Sequence, residues 1–391
     1  MTLKKDLFCV YPQDWQGSVN GSAVERRKQA WSGLSLPVRR AMTAFIPLIR
    51  SARERVIEKY LLSLEEELEL AAIVELADSS THLLTAIDLP KNDPIHVQQR
   101  YEAMQVWDMA TAMGVLSIEN PLQQARHDLR RLVRLFEREL FAQTGGWVDI
   151  WSYHAGDKLR VERISIDSKL SRAEQGALKQ RYSPLNCRAT RAGLLVSFHH
   201  RVKHPFDVWL KVYRQVHQAD ARANPYAISD QCGLKILVAN DEEATALVGE
   251  IRSVLSTVGG SVCELKSNIG KSGPMNGGNY HSSPHFKAAK YNLSVWGRDF
   301  ELQVMTFANH YDSRYSLGAE NHVLYRLDQI IETYGPILFA SSVYRSVDWK
   351  NTEMRELLMG RAIARLGWQF SPRSLHRLTQ DAMHTWLSSP P

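Results

Sequence analysis

Phe300-Glu301-Leu302-Gln303-Val304 alternates apolar and polar residues at a period of two. An extended chain sends successive side chains to opposite faces, so Phe300, Leu302 and Val304 face a core while Glu301 and Gln303 share the other side. A carboxylate and an amide aligned on one face suit a sheet that meets a ligand. An exposed sheet face with ordinary polar residues fits the same pattern, and the choice between the two depends on what lies upstream.

At 391 residues the chain is long enough for two or three compact domains. The net charge of +6 is modest, but residues 1–60 hold eleven Lys and Arg against five acids. Such an excess fits a polyanionic partner such as a nucleotide or RNA, and equally a solvated basic face. The cysteines, at 9, 187, 232 and 263, are too scattered for a zinc knuckle or a C-x-x-C pair, so free thiols in a reducing compartment are expected. The N-terminus lacks the apolar core of a secretory signal, and no stretch approaches the roughly 20 apolar residues that span a bilayer. A cytoplasmic protein without membrane contact is expected; export that uses no cleaved signal is compatible with the same sequence.

Residues 1–37 mix Gly, Ser, Pro and Trp without period and read as an irregular leader. Residues 38–145 read as a helical domain, with apolar residues at spacings of three and four through Leu70, Ile73 and Leu76, and further helices at 95–113 and 121–141. The last carries a Leu129, Leu132, Val133, Leu135 stripe. A protein partner is one use for such a domain. After Gly145-Gly146 the texture becomes mixed, with a hairpin at 147–153 and 158–165, a helix at 172–182, a strand at 192–199 and a helix at 206–217. A strand at 233–239 runs into a helix whose Asn240 and Glu243 form a capping-box pattern and whose Ala244, Leu247, Val248, Ile251 and Leu255 face inward. A glycine-rich loop over 259–279 precedes strands at 291–296 and 300–306, joined by Gly297-Arg298-Asp299. Helices follow at 319–333, 351–366 and 373–387. The fold class is therefore α+β: a mixed, largely antiparallel sheet flanked by helices and preceded by an all-helical domain.

Four pieces follow one another in the mixed region: Arg201-Val202-Lys203-His204-Pro205, Asp230-Gln231-Cys232-Gly233-Leu234-Lys235, the basic glycine-rich loop, and Glu301-Leu302-Gln303-Val304. Two acids on one sheet are what Mg²⁺ requires, since it is held by one or two carboxylates plus substrate phosphates. Asp230 and Glu301 are the candidate pair. Arg201, Lys203 and Lys235 would offset charge that builds on phosphate oxygens.

With Glu301-Leu-Gln303-Val-Met-Thr306 and Glu320-Asn-His322-Val-Leu-Tyr325-Arg326, these pieces resemble the RelA/SpoT-type alarmone synthetases over roughly half the chain. Those enzymes move pyrophosphate from ATP to a ribose hydroxyl, using R-x-K-x-P, D-x-x-G-x-R, a loop ending in an aromatic residue, E-x-Q-[IV]-x-T and E-x-H-x-x-Y-K. The resemblance implies a nucleotidyltransferase-like synthetase domain over 146–345, with C-terminal helices over 346–391. It also implies that Asp230 and Glu301 bind Mg²⁺, with Glu301 a candidate base. Arg201 would clamp the ATP base and Lys203 would meet its phosphates, while Gln303, His322 and Tyr325 line the acceptor side. Lys235 and Arg326 stand where the family has Arg and Lys, which keeps the charge but changes bidentate geometry. The acceptor loop departs furthest from the pattern: Tyr280, Phe286 or Tyr291 could supply the stacking ring, and Lys287 and Lys290 add charge beside it. A guanine nucleotide, an adenine nucleotide or a tRNA 3′ end are the acceptors that the resemblance allows. A catalytically inactive nucleotide- or RNA-binding module, or a nucleotidyltransferase acting on protein or RNA, are the competing readings.

Two patterns are set aside. Gly270-Lys271-Ser272 resembles the end of a P-loop, but Leu265 stands at its first glycine and no strand is expected to lead in. His127-Asp128 resembles half of a metal pair, but no second histidine accompanies it, so it reads as a structural surface pair.

Overall fold

In the computed structural model of the protein, the described residues are 32–56, 80–90, 92–119, 122–155, 158–166, 180–203, 207–208, 231–267, 287–315, 329–339, 341 and 348–367. The chain divides into two compact units, one formed by 1–122, 204–228 and 329–358, the other by 123–203, 229–328 and 359–391.

The first unit is helical where described, with α1 (Leu36–Val56), α2 (Ser80–Ile87) and α3 (Pro94–Glu119). Tyr101, Met104, Trp107, Ala110 and Met113 of α3 are all buried, as are Met42 and Ile46 of α1 and Leu83 and Ile87 of α2. α1 crosses α3 at Gly114, where a Cβ would lie 2.9 Å from the Val38 carbonyl oxygen. Any larger residue there would force the two helix backbones apart.

The described helices of the second unit include α4 (Leu122–Glu139), α5 (Asp241–Ser256) and α6 (Phe307–Tyr315). Its strands are β1 (Phe141–Ala155), β2 (Lys158–Ile166), β3 (Gln180–Thr190), β4 (Leu195–Val202), β5 (Cys232–Val238), β6 (Ser261–Ser267), β7 (Ala289–Val295) and β8 (Arg298–Thr306). They form one mixed sheet in the order β2-β1-β3-β4-β5-β8-β7-β6. β5 and β8 run parallel and every other described neighbour pair is antiparallel.

One sheet face is the core. Cys232, Leu234, Ile236, Val238, Leu293, Phe300, Leu302 and Val304 cluster with Ala125, Leu129, Leu132 and Phe136 of α4 and with the inward residues of α5. Those α5 residues are Ala244, Leu247, Val248, Ile251 and Leu255, as the sequence spacing predicts. The α5 cap follows its predicted pattern in part. Asn240 Oδ1 accepts from the Glu243 amide at 2.9 Å, while Glu243 Oε2 accepts from the Ala239 amide at 3.1 Å, one residue earlier than in a strict capping box.

The structure corrects four sequence expectations. Residues 180–182, read as the end of a helix, begin β3. Residues 261–267, read as part of a loop, form the edge strand β6, so a strand does lie ahead of Gly270 and Leu265 sits inside it. The β7–β8 connection is the two residues Trp296 and Gly297, with φ of 52° and 72°, instead of Gly297-Arg298-Asp299. Positive φ at both positions is what a tight hairpin with right-handed strand twist needs, and the Arg131 guanidinium, 3.9 Å over the Trp296 ring, braces an otherwise unfavourable conformation. Asp128 is buried instead of lying on the surface: Gln124 donates to one carboxylate oxygen at 2.9 Å and Arg298 to the other at 2.8 Å. The predicted helices at 206–217 (apart from 207–208), 319–333 (apart from 329–333) and 373–387 lie outside the described residues.

Burial pushes the Cys187 thiol up to about 12, partly opposed by a hydrogen bond with Ser197, and the Cys232 thiol up to about 11. Both ordinarily ionise near 9.0. The folded state holds both thiols neutral, so their contribution to stability is intact below about pH 9 and is lost as pH rises through 11 to 12. Alkylation of the native protein at mild alkaline pH, followed by peptide mapping, should label the exposed Cys263 and spare Cys187 and Cys232 until denaturant is added. Labelling of all three at equal rates would contradict the packing described.

Among the described residues, no helix is long and apolar enough to cross a membrane.

Candidate active site

The sheet face opposite the core is polar at β4, β5, β8 and β7, and strand register arranges it in two rows. Arg201, Gly233, Glu301 and Asn292 stand abreast across the four strands. One pleat along, His199, Lys235, Gln303 and Lys290 form the second row. The period-two alternation of Phe300–Val304 therefore produces this face directly. Leu234, Leu302, Leu293 and their neighbours are buried, whereas Gly233, Lys235, Lys290, Asn292, Glu301 and Gln303 are each half-buried.

Glu301 is held from within its own strand, where Gln303 Nε2 donates to its Oε1 at 2.5 Å. Residues i and i+2 of a strand share a face, so the pair follows from local geometry alone. Gly233 is the small residue beneath a cation. A Cβ there would lie 3.6 Å from Arg201 Nε and 3.7 Å from its Cγ, so the Arg201 side chain lies across β5 next to the Glu301 strand. Lys203 follows β4 and is tied to the start of β5 by its amide, which donates to the Gln231 carbonyl at 2.8 Å. Lys235 and Lys290 flank Gln303 from the two neighbouring strands. Lys287 is exposed in the residues that lead into β7.

Strand register thus brings Arg201, Lys235, Lys290, Glu301 and Gln303 onto one part of one face, with Lys203 just past the end of β4. Asp230, Tyr280, Phe286, His322, Tyr325 and Arg326 lie outside the described residues. Tyr291, one of three candidate stacking rings, is on the core face and 8% exposed. Burial, reinforced by Glu264, raises its hydroxyl pKa, and it is not placed to stack on a ligand at the polar face. Thr306, the last residue of the E-x-Q-x-x-T pattern, accepts from the Asn309 amide at 3.1 Å and so caps the first turn of α6.

Three residues at this face escaped the sequence reading. Asn292 and Ser294 are the polar alternates of β7, joined by a 3.3 Å hydrogen bond, and Ser294 donates to Asp299 on β8. The same period-two test that found Glu301 would have found them. Asn292 Oδ1 is buried with no hydrogen-bond partner among the described residues, one strand from Glu301. His199 shares the face as well. Ser197 Oγ lies 3.0 Å from its Nε2, and its ring stacks on that of the buried His310 of α6 with centroids 6.4 Å apart.

A hard cation suits the donors that are present. Glu301 offers a carboxylate and Asn292 a buried amide oxygen that lacks a partner, both of the oxygen class Mg²⁺ prefers. Among the described residues there is no group of three His, Cys, Asp or Glu able to hold a metal by itself.

No protein-family model matches the chain, and no curated protein matches it.

Proposed function

We propose that the protein transfers pyrophosphate from Mg²⁺-ATP to a ribose hydroxyl of a guanine or adenine nucleotide, or of a tRNA 3′ end, on a nucleotidyltransferase-like sheet. The observation that carries this reading is the pair of rows on β4, β5, β8 and β7, which gathers one held carboxylate and three cations over neighbouring strands. A carboxylate amid cations is what a polyphosphate donor with an attacking hydroxyl needs. A site that only bound nucleotide phosphates would gain nothing from an acid facing them.

Glu301, with Asp230 three residues ahead of Gly233 in sequence, would hold Mg²⁺, and Asn292 would add a neutral oxygen. Bound there, the ion would offset charge on the donor's phosphate oxygens. Arg201, lying across Gly233, would clamp the donor, and Lys203 and Lys235 would meet its phosphates. The acceptor hydroxyl oxygen bonds to the β-phosphorus of ATP, the bond from that phosphorus to the α–β bridging oxygen breaks, and AMP leaves. The hydroxyl proton passes to the Glu301 carboxylate, which Gln303 holds in place.

The test is incubation of the full chain with γ-labelled ATP, Mg²⁺ and, separately, GDP, ADP and tRNA. Label is expected in at least one acceptor, with release of AMP. If no acceptor is labelled, and wild type and Glu301→Gln behave alike, the reading is wrong. A second expected result concerns Lys235, a half-buried cation in the row with Gln303. Lys235→Ala should lower kcat/KM for ATP by about tenfold or more, and Lys235→Arg should recover part of that loss by restoring charge without the original geometry. Steady-state kinetics at varied ATP would measure both.

A further inference from the structure

The outward side of α4 carries Arg126, Arg130, Arg134 and Arg138, one per helical turn, all exposed. A four-residue spacing puts them in one line on the helix surface, roughly 6 Å apart and about 18 Å from end to end. Like charges at this spacing repel, so the row is unfavourable in the folded protein by itself.

The acids of the helix relieve it only at its last member, Arg138. Asp128 points inward to Arg298 and Gln124, and Glu137 pairs with Arg188 at 3.3 Å. Glu139 pairs with Arg138 at 2.7 Å and approaches Arg191 at 4.0 Å. Among the described residues, Arg126, Arg130 and Arg134 have no ion pair and no hydrogen bond. Arg131 flanks the row with its guanidinium on the half-buried Trp296 ring.

We propose that this ridge is a docking surface for the sugar-phosphate backbone of a nucleic acid strand. Three observations favour that occupant. The cations are arginines, whose planar fork pairs with phosphate oxygens bidentately. Their even spacing matches a repeating polyanion, and about 18 Å of strand presents roughly five phosphates to it at duplex spacing. Arg131, its guanidinium held 3.9 Å over the Trp296 ring, adds a further fixed arginine beside the row. A lipid surface fits poorly, because among the described side chains of α4 no large apolar one is exposed. The ridge faces away from the sheet, whereas the polar rows occupy the sheet's other face. The proposal therefore stands apart from the pyrophosphate-transfer reading.

The test uses the full chain and fluorescence anisotropy with labelled oligouridine, an RNA duplex and a DNA duplex across a salt series. R126Q/R130Q/R134Q is compared with wild type and with the charge-matched control R40Q/R252Q/K350Q. Wild type and control should bind at least one probe, and the ridge variant should bind it about tenfold or more weakly, with its slope of log affinity against log salt shallower by about two to three. Removal of the like-charge row should leave the melting temperature no lower than that of wild type, which separates lost contact from lost fold. The proposal is overturned by equal affinities of ridge variant and wild type, by an equal loss in the control, by absence of binding to every probe, or by displacement of the probe by polyglutamate as readily as by unlabelled RNA.

Discussion

Glu301→Gln should lower pyrophosphate transfer by about 10²–10⁴-fold, the range expected when a positioned acid–base group is removed, and by more if the cation is lost with it. The substitution keeps size and shape, and its amide oxygen can still accept from Gln303 Nε2, so the β8 geometry is retained. Glu301 is half-buried on the polar face and contributes nothing to the core cluster on the other side. The melting temperature should therefore match that of wild type, with a stability change within about 0.5 kcal/mol. Initial rates with γ-labelled ATP on the acceptor that wild type labels, read beside a melting curve, make the check. A Glu301→Gln protein as active as wild type would remove the carboxylate from the reaction. An inactive protein that also melted early would show that the residue's role is structural.

The features legible in the sequence are those fixed by short-range geometry. The faces of β5 and β8 follow from alternation over a few residues, and the inward set of α5 follows from helical spacing with an Asn240 cap. Glu301 and Gln303 meet because residues two apart on a strand share a side. What was missed depends on contacts remote in sequence or on a weak local pattern. β6 is an edge strand whose Cys263, Glu264, Leu265 and Lys266 are all exposed, so no alternation marks it. Edge strands of this polar kind resist further pairing, and by the same property they resemble loops. Trp296 in a positive-φ turn runs against the preference of a bulky residue, and its brace, Arg131, comes from α4. The side-by-side placement of Arg201, Glu301 and Asn292 depends on pairing of β4, β5, β8 and β7, and no single segment of sequence encodes that order.

Asp128→Ala should destabilise the sheet-bearing unit by about 2 kcal/mol while leaving the chemistry of the remaining folded protein unchanged. The local sequence reads His127-Asp128 as a structural surface pair, but Asp128 is buried on Arg298, 170 residues away. The two side chains retain only 21% and 12% of their exposure, for Arg298 and Asp128 in that order, so this pair is far drier than a surface ion pair. Removal of the carboxylate leaves the Arg298 guanidinium beside the core with its 2.8 Å acceptor gone, and Gln124 loses its 2.9 Å acceptor as well. Some residual exposure lets water compensate, which keeps the loss below the roughly 3–5 kcal/mol typical of a fully buried pair broken on one side. Arg298 begins β8 and closes the Trp296-Gly297 turn, so the bridge clamps the strand that carries Glu301 to α4. Asp128→Asn, which keeps an acceptor for Arg298 without the charge, should recover about half of the stability. Thermal melts of the three proteins, with transfer assayed well below the transition, distinguish the roles. A structural bridge lowers the melting temperature in the order wild type, Asn, Ala, at constant kcat/KM. A metal ligand would instead lose activity at an unchanged melting temperature, and that outcome would contradict the structural role of Asp128.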